Sequence, residues 1–244
     1  MASPARAALE SLLQSKKLDR TLTTAIRRDV EYAFTGVPEV DTALAGGFPR
    51  GELSELAGPR SSGRSTVLLH TLAAATARGE LVALVDALDM LDVESAVAAG
   101  VDLRRLLWIR GHVVTNAGLC RDLNQRALEQ AIRAFTLVLQ AGNFGVVALD
   151  VAEAPADAIR RLPFTTWLRL QRMVEGSQTA CVLVGSSPVA RSSAGITVRT
   201  QSGAGARFSH RLFEGLTVHV GVVRARARVP ENISASFSAV AVHA

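Results

Sequence analysis

From Phe34 onward, short and continuously apolar runs alternate with segments of helical length. The runs are Leu53 to Ala57, Leu81 to Asp86, Leu106 to Ile109, Val146 to Asp150, Cys181 to Gly185 and Val218 to Val223. Ser65 to Arg78, Asp122 to Gln140 and Thr165 to Glu175 have the composition and length of helices. A strand that is apolar on both sides must be covered on both, and a mostly parallel sheet flanked by helices gives that cover. The pattern therefore predicts an α/β fold. With 244 residues, 48% of them hydrophobic and 20% charged, the chain can close one such core and does not have the composition of a disordered protein.

Ahead of this pattern, Ala5 to Gln14 reads as an amphipathic helix with Leu9, Leu12 and Leu13 on one side. The simplest parse is an N-terminal helical arm over 1–33, one core domain over 34–230 and a C-terminal strand or tail over 231–244. Ser186 to Arg207 is rich in Ser, Gly, Thr and Arg with little periodicity, and reads as a long loop; such loops in a compact domain are usually functional. No run of about 18 apolar residues and no basic-then-apolar leader is present, so a cytoplasmic protein without a membrane partner is expected. Cys120 and Cys181 lack a CxxC partner and read as buried, reduced thiols. The histidines (His70, His112, His210, His219, His243) show no paired-ligand spacing and no GxSxG is present, so neither a metal site nor a nucleophilic triad is expected. Net charge is +5, supplied almost wholly by arginine because Lys16 and Lys17 are the only lysines, which points to a polyanion or an acidic partner surface.

The most informative segment is Gly58-Pro59-Arg60-Ser61-Ser62-Gly63-Arg64-Ser65, set between a strand and a helix. Its spacing is that of GxxxxGK[ST] with arginine in the lysine position. In such a loop glycines turn successive backbone N–H groups toward a phosphate, and the helix N-terminus adds partial positive charge. Gly58, Gly63 and Ser65 keep that part. Lysine offers a compact point charge to the outer phosphates, whereas Arg64 carries a longer planar fork that must sit elsewhere.

FTGVPEVDTALAGGFPRGELSELAGPRSSGRST, LVALVDALDMLDVESAVAAGVDLRRLL, FGVVALD, SGAGARF and VGVVRARAR together resemble the core of RecA recombinases, from about Phe34 to Arg228. The small size and the GGFPRGELSEL entry to the loop are similar to the ImuA family, RecA-related accessory proteins of bacterial mutagenic translesion synthesis that are sometimes labelled SulA-like. The resemblance implies a RecA-like phosphate-loop core and puts Asp150 at the position of the magnesium-holding acid. Asp86-Ala87 matches the pair before the catalytic glutamate, but Leu88 follows, and an aliphatic side chain cannot orient a water unless Asp89 swings in. Asp92 is kept, Ser95 stands where the adenine-stacking tyrosine is expected, and Ser186-Ser187 where the γ-phosphate sensor is expected. The implied nucleotide site (Gly58, Gly63, Arg64, Ser65, Asp150) is thus degenerate: no catalytic residue is assigned, no cofactor is required, and weak binding of ATP with magnesium is left open.

The same resemblance puts Arg224 and Arg226 at a site reaching a neighbouring subunit's ATP, and Arg207 and Phe208 at a filament interface. For the Arg224–Arg228 stretch a solvated, charge-protected edge strand is an equal alternative, and for Phe208 a place in the core. It also makes Glu153 to Thr166, with Arg160 and Arg161, and Pro188 to Ala206, with Arg191 and Arg199, the two DNA-binding loops; arginines on such loops follow a phosphate backbone without sequence preference. Trp167 reads as a core anchor. The implied function is a non-motor accessory factor in SOS-induced translesion synthesis that binds ImuB, RecA and single-stranded DNA, with self-association open. A DNA-dependent ATPase or recombinase and a SulA-like cell-division inhibitor stand as alternatives.

Overall fold

The computed structural model describes residues 31–111, 121–190, 195–209, 212–225 and 233–240. Most of the expected arm lies outside the described residues, as do Cys120, Arg191, Arg226 and Arg228. In chain order the elements are β1 (Tyr32–Ala33), α1 (Pro38–Ala43), β2 (Phe48–Pro49), β3 (Leu53–Ala57), α2 (Arg64–Ala77), β4 (Leu81–Asp86), α3 (Val93–Ala98), β5 (Leu106–Arg110) and α4 (Arg121–Ala141). They continue as β6 (Phe144–Asp150), α5 (Ala156–Arg161), α6 (Phe164–Val174), β7 (Ala180–Gly185), β8 (Ile196–Ser209), β9 (Leu212–Ala225) and β10 (Ser234–Val240).

One eight-stranded sheet has the order β10-β9-β8-β3-β7-β6-β4-β5. From β8 to β5 neighbouring strands run parallel, whereas β9 and β10 add antiparallel to β8 and to each other. The inner strands β4, β6 and β7 are apolar on both sides because each feeds two cores. Val82, Leu84, Val146, Ala148, Val182 and Val184 face the layer with α1, α2 and α3. Their neighbours Ala83, Val85, Val147, Leu149, Cys181 and Leu183 face the layer with Leu128, Ile132 and Phe135 of α4 and Trp167 and Leu170 of α6. Trp167 is a core anchor, as expected, and Cys181 is a free, buried thiol whose titration burial pushes well upward.

The long loop expected over 186–207 is corrected: Ile196 to Ser209 is a strand. Ile196 to Val198 are all buried, and from Val198 on the strand alternates, with Val198 and Thr200 buried and Arg199 and Gln201 exposed, the period-two pattern of a covered strand. Small residues beyond Gln201 carry no such signal, and β9 recruits them by long-range pairing, Arg207 with Gly215 and Phe208 with Phe213. Arg199 is therefore on a strand and not on a loop. Arg160 and Arg161 are likewise on the short helix α5.

Candidate functional site

Parallel packing brings the carboxyl ends of β3, β4, β6 and β7 side by side, the usual place for a ligand crevice in an α/β sheet. Four segments meet there: the loop 58–63, Asp86 with Ala87 and Leu88, Asp150 with the turn to Glu153, and Gly185. Backbone bonds tie them together, from Gly58 N to Gly185 O (3.0 Å), Ala87 N to Asp150 O (3.0 Å) and Val151 N to Val184 O (3.0 Å).

The loop keeps the backbone of a phosphate cradle. Ser61 and Gly63 are left-handed, with φ of 58° and 81°, and α2 starts after Gly63 with no side chain capping its amides. It is also clamped by the antiparallel wing. Ser62 Oγ and Thr200 Oγ1 share a buried hydrogen bond of 2.7 Å, a Cβ on Gly58 would overlap Thr200, and one on Gly63 would overlap Val218 of β9.

The arginine in the lysine position lies buried against this loop. Arg64 is only 7% exposed; its Nη1 donates to the Gly58 carbonyl and, at 3.5 Å, to that of Gly185, while Nη2 reaches Glu153 Oε1 at 3.4 Å. Only Nε–H is buried without an acceptor. Glu153 also takes the exposed Arg60 Nε at 2.7 Å, and the Arg60 guanidinium, with Arg64 beside it, holds this carboxyl below the ordinary glutamate range. One carboxylate of the chain thus occupies both loop cations.

The acids have structural partners too. Asp86, 2% exposed, accepts from Leu91 N (2.8 Å) and Trp108 Nε1 (3.3 Å), pinning the turn after β4. Asp89 does not swing in as a base: Arg110 grips both its oxygens at 2.7 Å and holds its carboxyl below the usual range. Leu88 packs against the core. Asp150 pairs in register with Asp86 and accepts from Ala152 N at 2.9 Å. Desolvation lifts its carboxyl to about 6, against the pull of that amide and of Arg64. Ser95 and Ser186 are exposed, and Ser95 serves the Asp92 cap of α3 (Ser95 N to Asp92 Oδ2, 3.2 Å). These residues do not fit the magnesium-bound triphosphate implied by the resemblance: the loop cations are engaged internally, no base stands after Ala87, and Glu153 adds negative charge beside the cradle.

Of the residues expected at the site, the fold brings Gly58, Gly63, Arg64, Ser65 and Asp150 together. Of the residues expected at a trans-site or an interface, Arg226 lies outside the described residues, and the other three lie on the β8–β9 hairpin. Arg224 lies opposite Thr197 near the base of the β8–β9 hairpin, and Arg207 opposite Gly215 ten residues further out, roughly 30 Å along the strand. Phe208 does not enter the core; it is 64% exposed and meets Phe213 edge to face at 5.6 Å. Three residues were not legible as site residues: Glu153, Thr200 and Glu55. Glu55, 2% exposed within β3, accepts from Val189 N and Ala190 N (both 2.6 Å) and Thr197 Oγ1 (2.9 Å), fixing the segment after β7. A charge inside an otherwise apolar run, as in Leu53-Ser54-Glu55-Leu56-Ala57, is the signal that could have found it.

Residues 15–118 match the family model described as the RecA N-terminal domain. The chain is similar to the RecA proteins of Synechococcus sp. (strain CC9902), 44% identical over 86 residues, and of Trichormus variabilis, 45% identical over 86 residues. Each alignment takes in 35% of this chain, and spans 23% and 24% of the respective RecA, about a quarter of the relatives' length. Among solved structures it is similar in fold to a RadB recombinase, with a TM-score of 0.57 at 18% identity over 84% of this chain and 94% of that one. Residues 15–118 are thus similar to the RecA N-terminal domain, and the fold is similar to that of a RadB recombinase.

Proposed function

We propose that this protein is a non-motor accessory factor of DNA repair: a RecA-like scaffold that works by binding, in the manner of the ImuA family, within SOS-induced error-prone translesion synthesis. The observation that carries this reading is the engagement of Arg64 and Arg60 by Gly58, Gly185 and Glu153, with Leu88 where a motor needs its base. A loop whose cations are neutralised from within keeps the fold and loses the grip on outer phosphates. What remains available is surface: Arg160, Arg161, Arg199 and Arg207 are exposed, and Phe208 stands out at the hairpin end.

The partners proposed are ImuB, the Y-family polymerase homologue, and RecA, with single-stranded DNA as a further ligand through the exposed arginines. The setting is the cytoplasm; no helix among the described residues is long and apolar enough to cross a membrane. Tagged full-length protein purified from DNA-damaged cells is expected to bring down ImuB and RecA. Recovery of neither, with the protein folded and expressed, overturns the adaptor role.

A further inference from the structure

The sheet ends in two very different edges. At one, β5 is guarded by charge: Arg110 lies over the Trp108 ring at 4.5 Å and pairs with Asp89, and Arg104 and Arg105 precede the strand. At the other, β10 carries no charge, proline or bulge, the devices within a strand's own sequence by which natural edge strands avoid pairing. Its sequence is Ser-Ala-Ser-Phe-Ser-Ala-Val, and it pairs with β9 through seven consecutive positions, Ser234 with Gly221 to Val240 with Gly215, without a register shift. Among the described residues no strand lies on its outer rim, so that rim presents backbone N–H and C=O groups.

The sequence of β10 is nearly symmetric about its centre. Reading outward from Phe237, Ser236 is matched by Ser238 and Ala235 by Ala239; Ser234 and Val240 are the first mismatch. In an antiparallel pair residues with a constant sum of numbers face each other. A twofold axis at Phe237 therefore sets Ser236 against Ser238 of the second copy, Ala235 against Ala239, and Phe237 against itself. Side chains across the pair match in size, Ser can hydrogen-bond to Ser, and no like charges oppose. An interface of this kind uses one patch twice, which is what a locally symmetric, uncharged strand provides. Faces agree as well: Phe237 is buried and Ala235 and Ala239 half-buried, while Ser234, Ser236, Ser238 and Val240, the last 70% exposed, alternate with them. Continuing the sheet would cover part of Val240.

We infer that β10 is a self-association edge through which two copies of this chain pair antiparallel about Phe237, joining their sheets into one. The test uses sedimentation of the full chain over a concentration series, with a charge swap on the outward serines. Wild-type protein is expected to form a dimer. The Ser236→Lys/Ser238→Lys protein sets lysine opposite lysine twice and is expected to weaken the dimer at least about tenfold, as is Ser236→Glu/Ser238→Glu. Mixing the two should restore a one-to-one complex, because every opposed pair is then Lys with Glu. Hydrogen exchange of the wild type gives an independent reading: amides of 234–240 should lose protection on dilution. A wild type that stays monomeric near 100 µM, about the upper range of such measurements, overturns the inference. So does a dimer untouched by both substitutions, or protection of 234–240 that is independent of concentration.

Discussion

The loop after β3 and the tip of the β8–β9 hairpin are both Gly- and Ser-bearing and both carry arginine, yet they use it in opposite ways. In the loop, Arg64 is 7% exposed and bound to two carbonyls and a carboxylate of its own chain. At the hairpin, Arg207 is exposed beside Phe208, itself 64% exposed. Chemistry needs charges that are positioned but free to meet a ligand, and binding needs charges that reach solvent. The loop after β3 is tied into the scaffold, whereas the end of the hairpin faces outward.

The sharpest break in this contrast comes from Gly63→Ala. The left-handed backbone there and the overlap with Val218 should together cost about 3 kcal/mol in urea unfolding, whereas a loss under about 1 kcal/mol would mean that the wing does not press on the loop.

Next in size is a pH effect. Asp150 has its carboxyl raised to about 6 from an ordinary 3.8, so the folded state holds its proton more tightly than the unfolded state. The penalty is absent below the unfolded value, grows between the two and is complete above the folded one, about 3 kcal/mol by the size of the shift. Asp150→Asn should therefore be more stable than wild type near pH 7.5, with the difference closing toward about pH 4 in paired thermal melts. An unchanged gap across that range would place the carboxylate in a wetter setting.

Smaller still is the effect of freeing the loop cations. Glu153→Gln leaves Arg60 and Arg64 without their carboxylate and should tighten binding of ATP or tripolyphosphate roughly three- to tenfold in a fluorescence titration. No gain would show that Glu153 does not compete for those arginines. The smallest expected effects are on the hairpin: Arg199→Ala or Arg207→Ala should weaken single-stranded DNA binding a few-fold and lower the salt slope by about 0.7 for each phosphate no longer neutralised. An unaltered slope removes these residues from the DNA path.

The sequence made the parallel strands from β3 to β7 legible because they are mostly apolar between helices: β3 and β4 fall where their apolar runs do, and α2, α4 and α6 end within a residue of the expected bounds. The wing was legible only in part. Residues 202–207 have no pattern of their own, and their pairing with β9 supplies the order. The loop motif and the substitutions at Arg64 and Leu88 were also visible. The direction taken by the Arg64 guanidinium was not, because it depends on Glu153, 89 residues away, and the clamp on Ser62 depends on Thr200, 138 residues away. Such pairings are set by sheet order, which local propensity does not encode.

Phosphate release from ATP by the purified full chain, with and without single-stranded DNA and with Asp150→Asn as the control, tests the self-occupied loop most directly. Turnover indistinguishable from the control, in both conditions, is the expected result. DNA-stimulated release that the substitution abolishes would contradict it.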